Sequence, residues 1–193
     1  MTSLRERNRL NAKRAIQRAA LPMFQEYGFD NVTVESVARD AGMAPSTVYR
    51  HFVTKEEIVL WDEHDLAIDQ ALEERLRHQP PLEAIRAAFV ETLGGRYDND
   101  LEFQLTRVQY IYATEGLHAA ALQTDLRHRT ELTEGLRHFL CKRNQSAASI
   151  LAGAALLAVD VAIERWQADD AARPLGAYVN DAFDSLAALA SIT

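Results

Sequence analysis

Helix breakers are rare in this chain, and their placement constrains the fold more than any other feature. Eight Gly and five Pro are spread over 193 residues, while Ala, Leu, Glu and Arg, all good helix formers, are abundant. Such a chain favours long helices over strands, and no segment shows the sustained apolar/polar alternation of a half-buried strand. With 48% hydrophobic and 25% charged residues, the composition is that of a soluble globular protein of one or two compact domains.

The breakers and the apolar spacing together predict the helices. Residues 7–27 are amphipathic, with Ala12, Ala15, Ile16, Ala19, Ala20, Met23 and Phe24 on one face and Pro22 expected to bend the helix. Gly28 provides a stop. Thr33 is an N-cap for a second helix, Val34 to Ala41, buried through Val34, Val37, Ala38 and Ala41. Gly42 ends it, and a short third helix starts with Pro45 in its first turn and runs to about His51. Thr54 caps a long fourth helix expected to reach roughly His78, before Pro80-Pro81. Further helices are expected over 82–93, 101–114, 117–142, 146–168 and 175–190, with 96–100 turn-like. No internal repeat or low-complexity tail is present.

Some classes are disfavoured at once. The single cysteine, Cys141, closes no disulfide within the chain and excludes a Cys-rich metal cluster, which fits a reducing cytoplasm. Met1–Arg5 lead into no apolar core of a secretory signal. The apolar run 147–159 is expected to be too short for a bilayer, which needs about 20 residues, and Asp160 and Glu164 follow it. The net charge of −7 argues against nucleic acid as a partner, but its distribution is uneven. Residues 1–55 hold nine Lys/Arg against five acids, a net of +4; the remaining twelve basic and 23 acidic residues give −11. A basic head on an acidic body still offers phosphates one attractive face.

Residues 33–52 carry the sharpest signal. Val37 and Ala38 pack inward, Gly42 permits a tight turn, Met43 follows as an apolar plug, and Val48 and Phe52 anchor the second helix of the pair. Pro45, Ser46, Thr47, Tyr49, Arg50 and His51 are left outward. Small residues at the start of that helix let its backbone approach base edges, and the longer donors beyond reach phosphates. Considered singly, Tyr49 also fits as core packing, Thr33 as a cap alone and Lys55 as solvated surface.

The stretch from about Ala12 to Leu60 resembles the TetR family of bacterial transcriptional regulators. The resemblance lies in Met23–Phe29, Thr33, Val37-Ala38, Ala41-Gly42-Met43, and above all Ser46–Phe52 followed by Lys55-Glu56-Glu57-Ile58. It implies phosphate contacts from Tyr49, Lys55, Thr33 and His51. It also sets Pro45, Ser46 and Thr47 nearest the bases, with Arg50 on a guanine or a phosphate. Arg5, Arg7 and Arg9 are either a DNA-contacting arm or a frayed terminus.

The same resemblance implies an all-α fold of about nine helices: a helix-turn-helix domain over 1–54 and an effector-binding and dimerisation domain over 55–193. A dimer would form through the last two helices, with Ile150, Leu151, Ala154, Leu157, Ala158, Val161, Phe183 and Leu186 as interface candidates. Trp61, Phe89, Leu93, Phe103, Tyr110, Phe139 and Trp166 are candidates for the effector pocket; each also fits as ordinary core. The expected function is a ligand-responsive repressor. It binds a near-palindromic operator in double-stranded DNA as a homodimer and is released by a small hydrophobic or acyl-type effector. It is cytoplasmic, with no membrane partner. A ligand-dependent activator and a small-molecule binder with a degenerate helix-turn-helix remain alternatives.

Catalysis and cofactors are not expected. Asp62-Glu63-His64-Asp65 has no convergent metal-ligand spacing, because neighbours on a helix diverge. Cys141 and His138 lack an orienting group, and no phosphate-cradling glycine loop is present.

Overall fold

The computed structural model describes residues 4–63, 65–94, 97–140 and 145–190, and within them the chain is helical with no strand. It divides into two compact units. The first comprises residues 1–63 with 110–120, and the second residues 64–109 with 121–193. Residues 55–63 therefore fall with the head, whereas the sequence reading set the boundary after residue 54. Cys141 and His64 lie outside the described residues.

The first unit is built on α1 (Leu4–Tyr27), α2 (Val34–Asp40), α3 (Pro45–His51) and α4 (Lys55–Leu60). Helix α1 runs through Pro22 and begins before the expected start, so Arg5, Arg7 and Arg9 are exposed helical residues. Its buried face is Ile16, Gln17, Ala20, Leu21 and Phe24; Ala15, expected inside, is exposed. Two adjacent rows, 16–20–24 and 17–21, set the centre of that face, and Ala15 lies beyond its edge. Gly28 ends the helix at φ +84°, a conformation open to glycine at little cost.

The expected long fourth helix is two helices, α4 and α5 (Asp65–Leu76). Leu60-Trp61-Asp62 contains no glycine or proline, and α1 supplies a cap where α4 ends. The buried Gln17 donates its side-chain amide to the carbonyls of Ile58 (2.9 Å), Val59 (3.3 Å) and Trp61 (2.8 Å). Those carbonyls would otherwise lack intrahelical partners at the end of a helix, so Gln17 caps α4 from outside. Arg14 pairs with Glu63, and Lys13 Nζ lies 4.8 Å from the Phe52 ring centroid and 5.0 Å from that of Trp61.

The second unit contains α5, α6 (Pro81–Phe89), most of α7 (Leu101–Ala113) and of α8 (Glu115–Arg137), then α9 (Gln145–Ala168) and α10 (Leu175–Ala190). A wide π-turn, Val90–Gly94, extends α6. There Gly94 and Gly176 meet backbone to backbone: a β-carbon on Gly94 would sit 3.3 Å from Gly176 Cα. The core gathers Ile85, Phe89, Leu93, Trp166, Tyr178, Val179 and Phe183. Arg86 clamps α6 to α10 through Asn180 and Asp184, both at 2.7 Å.

Helix α9 corrects one sequence expectation. By length and composition, Ser146–Ala168 is long and apolar enough to cross a membrane. Its small residues Ala148, Ala152, Ala155 and Ala162 are fully buried within the unit, while Ile150, Leu157 and Val161 on the same helix are exposed.

A candidate nucleic-acid interface

Short-range chemistry builds the α2–turn–α3 pair. Thr33 Oγ1 accepts from Ser36 N–H (3.1 Å), and Ser36 Oγ accepts from Thr33 N–H (3.2 Å), a reciprocal capping box. At the other end of α2, Gly42 takes φ +65°. Its N–H donates to Arg39 O (3.1 Å) and that of Met43 to Ala38 O (2.8 Å), the bond pair of a Schellman turn. Pro45 then opens α3, where its missing N–H removes no helical bond.

Val48 is fully buried and Phe52 nearly so, which turns the opposite face of α3 to solvent. Pro45, Ser46, Tyr49 and Arg50 are exposed, and Thr47 and His51 are half-buried. Burial holds the His51 imidazole below its ordinary pKa, with the positive charges of Arg50, Lys13 and Arg9 adding to the effect. Sequence reasoning did not single out Lys13 as a contributor to this cationic patch; one helical turn past Arg9, it was legible as the next residue of a basic row.

Two expected phosphate donors are engaged inside the head. Tyr49, 49% exposed, donates its hydroxyl to Glu35 Oε1 at 3.0 Å. Lys55 Nζ bonds the carbonyls of Phe29, Val32 (3.1 Å) and Asp30 (3.5 Å) and sits 4.4 Å from the Phe29 ring centroid. Lys55 thus ties α4 to the α1–α2 loop.

The effector candidates do not share one compact unit. Trp61 stacks edge-on to Phe52 at 6.1 Å, and Tyr110 donates its hydroxyl to Phe24 O at 3.0 Å, both in the first unit. Phe89, Leu93 and Trp166 are buried in the second, with Phe103 half-buried there. Phe139 is 40% exposed in the turn after α8. Among the dimer candidates, Ile150, Leu157 and Val161 are 70%, 63% and 40% exposed, while Leu151, Ala154 and Leu186 are half-buried. Ala158 and Phe183, expected at an interface, are turned into the unit's own core.

A capped helix, a glycine turn and a second helix presenting hydroxyl and cationic tips define a helix-turn-helix unit of the kind DNA-binding regulators carry. Residues 16–60 match the family model of bacterial regulatory proteins of the tetR family, and residues 79–190 match that of the MftR C-terminal domain. The chain belongs to the TetR family of transcriptional regulators, whose members are regulators rather than enzymes. It is 33% identical over 139 residues to the HTH-type transcriptional regulator TcmR of Streptomyces glaucescens; the match covers 68% of this chain and 59% of that relative. Two solved structures share the fold. SmeT, repressor of the Stenotrophomonas maltophilia multidrug efflux pump SmeDEF, superposes with a TM-score of 0.57 at 20% identity, covering 91% of this chain and 89% of that one. FadR of Thermus thermophilus, a repressor in complex with lauroyl-CoA, gives 0.53 at 19% identity, covering 89% and 91%.

Proposed function

We propose that this chain is a ligand-responsive repressor that binds a near-palindromic operator as a homodimer and releases it when a small hydrophobic or acyl-type effector binds. The observation that carries the reading is the exposed face of α3, where Ser46, Thr47, Tyr49 and Arg50 project beside the Lys13 and Arg9 charges. Pro45, Ser46 and Thr47 approach the bases, Arg50 reads a guanine or holds a phosphate, and Thr33, Tyr49 and His51 meet the backbone. Ile150, Leu157 and Val161 recur at helical spacing along α9, an apolar stripe that a second copy would cover. The effector binds within the second unit. That core mixes apolar residues with Arg107, Gln104 and Tyr97, and with a Trp166 indole N–H that has no acceptor among the described residues. A ligand with an apolar body and hydrogen-bonding atoms suits such surroundings. The regulator works in the cytoplasm, and Lys55 supports the interface indirectly through its loop contacts.

The test is a footprint of the purified protein on the DNA upstream of its own coding region, repeated with Thr47→Ala and Arg50→Ala. A protected near-palindrome whose preferred sequence shifts in those variants is expected. Absence of any protected site would overturn the reading.

A further inference from the structure

Glu35 is the one acid on the outward side of the α2–α3 pair that a DNA-facing hydroxyl already holds. It is exposed, sits in the first turn of α2, and accepts the Tyr49 Oη–H bond at 3.0 Å across the turn. A bond from its own backbone N–H, then the Tyr49 hydroxyl and the Thr33 hydroxyl, hold its carboxyl below the usual carboxylate range, so at neutral pH it is ionised. Tyr49 and Thr33 are both hydroxyls assigned above to phosphate. A carboxylate and a phosphate oxygen are both anionic acceptors and cannot share one O–H, so backbone docking at Tyr49 must displace Glu35.

We propose that Glu35 is an internal competitor for phosphate, a gate residue that occupies the Tyr49 hydroxyl in the free protein and lowers affinity for all DNA sequences alike. The inference rests on the DNA-binding reading above. Its effect is to weaken sequence-independent binding, so that base contacts from Ser46, Thr47 and Arg50 decide where the protein settles.

The test measures fluorescence anisotropy of a labelled mixed-sequence duplex of about 30 base pairs at low salt, where phosphate contacts dominate. Removing one like charge next to a phosphate is expected to tighten binding about fivefold in Glu35→Gln. Asp40→Asn, which removes an equal charge at the far end of α2, is expected to change it by less than about twofold. In Tyr49→Phe, where no phenol hydroxyl remains for carboxylate and phosphate to compete for, the gain from adding Glu35→Gln is expected to shrink below about twofold. All three sites are exposed, so the variants keep the fold, as circular dichroism would verify. Unchanged or weaker binding by Glu35→Gln, an equal gain in Asp40→Asn, or an undiminished gain in the Tyr49→Phe background overturns the proposal while DNA binding itself stands. A wild-type protein that binds neither this duplex nor its upstream region overturns the DNA-binding reading, and the gate with it.

Discussion

Replacing Gln17 by Leu removes a side chain that caps the end of α4, and the loss follows from the contacts. Two amide N–H groups serve three carbonyls, and two of these belong to Ile58 and Val59, which are 1% and 2% exposed. Losing the two amide N–H donors, which make their shorter bonds to Ile58 and Trp61, costs about 1–2 kcal/mol each, the penalty of the orphaned carbonyl included. Leucine retains most of the volume, so the cavity contribution is small. The sum is about 2–4 kcal/mol. Urea unfolding followed by Trp61 fluorescence measures it in a Trp166→Phe background, because the chain has two tryptophans and they lie in different units. With a slope of about 2 kcal/mol per molar urea, the midpoint should fall by about 1–2 M. Gln17→Glu should cost more, since a carboxylate would face three carbonyls with no proton to give. Exposed Gln25→Leu is the control. If Gln17→Leu shifts the midpoint no more than Gln25→Leu does, the break after Leu60 has another cause.

Two further outcomes follow from the second unit. Burial, reinforced by the charge of Asp125 and opposed by His128, raises the Asp160 pKa to about 7 from 3.8. The folded state then binds the extra proton between these values, so stability is greatest at the acid end of that window and is lost as pH rises through about 7. With allowance for partial exposure the loss is about 2 kcal/mol, and Asp160→Asn should abolish it in urea titrations at pH 5 and 8. A wild-type curve flat with pH would refute this. In the other case, Gly94→Ala would set a β-carbon 3.3 Å from Gly176 Cα, against backbone that has no side-chain freedom to yield, and should destabilise by about 1–3 kcal/mol. Gly135→Ala, with nothing within 4 Å and an exposed helical site, should stabilise by about 0.5–1 kcal/mol. Thermal melts showing both changes with the same sign would contradict the packing argument.

The local parts of the interface were legible in the sequence because their causes are local. Thr33 caps α2, Gly42 turns the chain and Pro45 opens α3 through bonds spanning no more than a few residues, and each could be read from residue type and spacing. Apart from the separate α5, the helices of the second unit followed in the same way from breakers and apolar periodicity, α8 ending at Arg137 rather than 142. Residue type also marked which α3 side chains face out, since Val48 and Phe52 are the apolar pair.

What only the tertiary structure decided depends on partners distant in sequence. The Gln17 cap on α4 spans 44 residues to Trp61, so a segment without a breaker reads as one long helix until α1 is set beside it. The Glu35–Tyr49 bond joins residues 14 apart on different helices, and Lys55 finds its carbonyls more than 20 residues upstream. The apolar residues Ala158, Phe183 and Phe139 could not be sorted between core and surface by type, because hydrophobicity drives burial without naming the partner. Helix formation is written in short-range preferences; which polar group satisfies which is settled only when the helices pack.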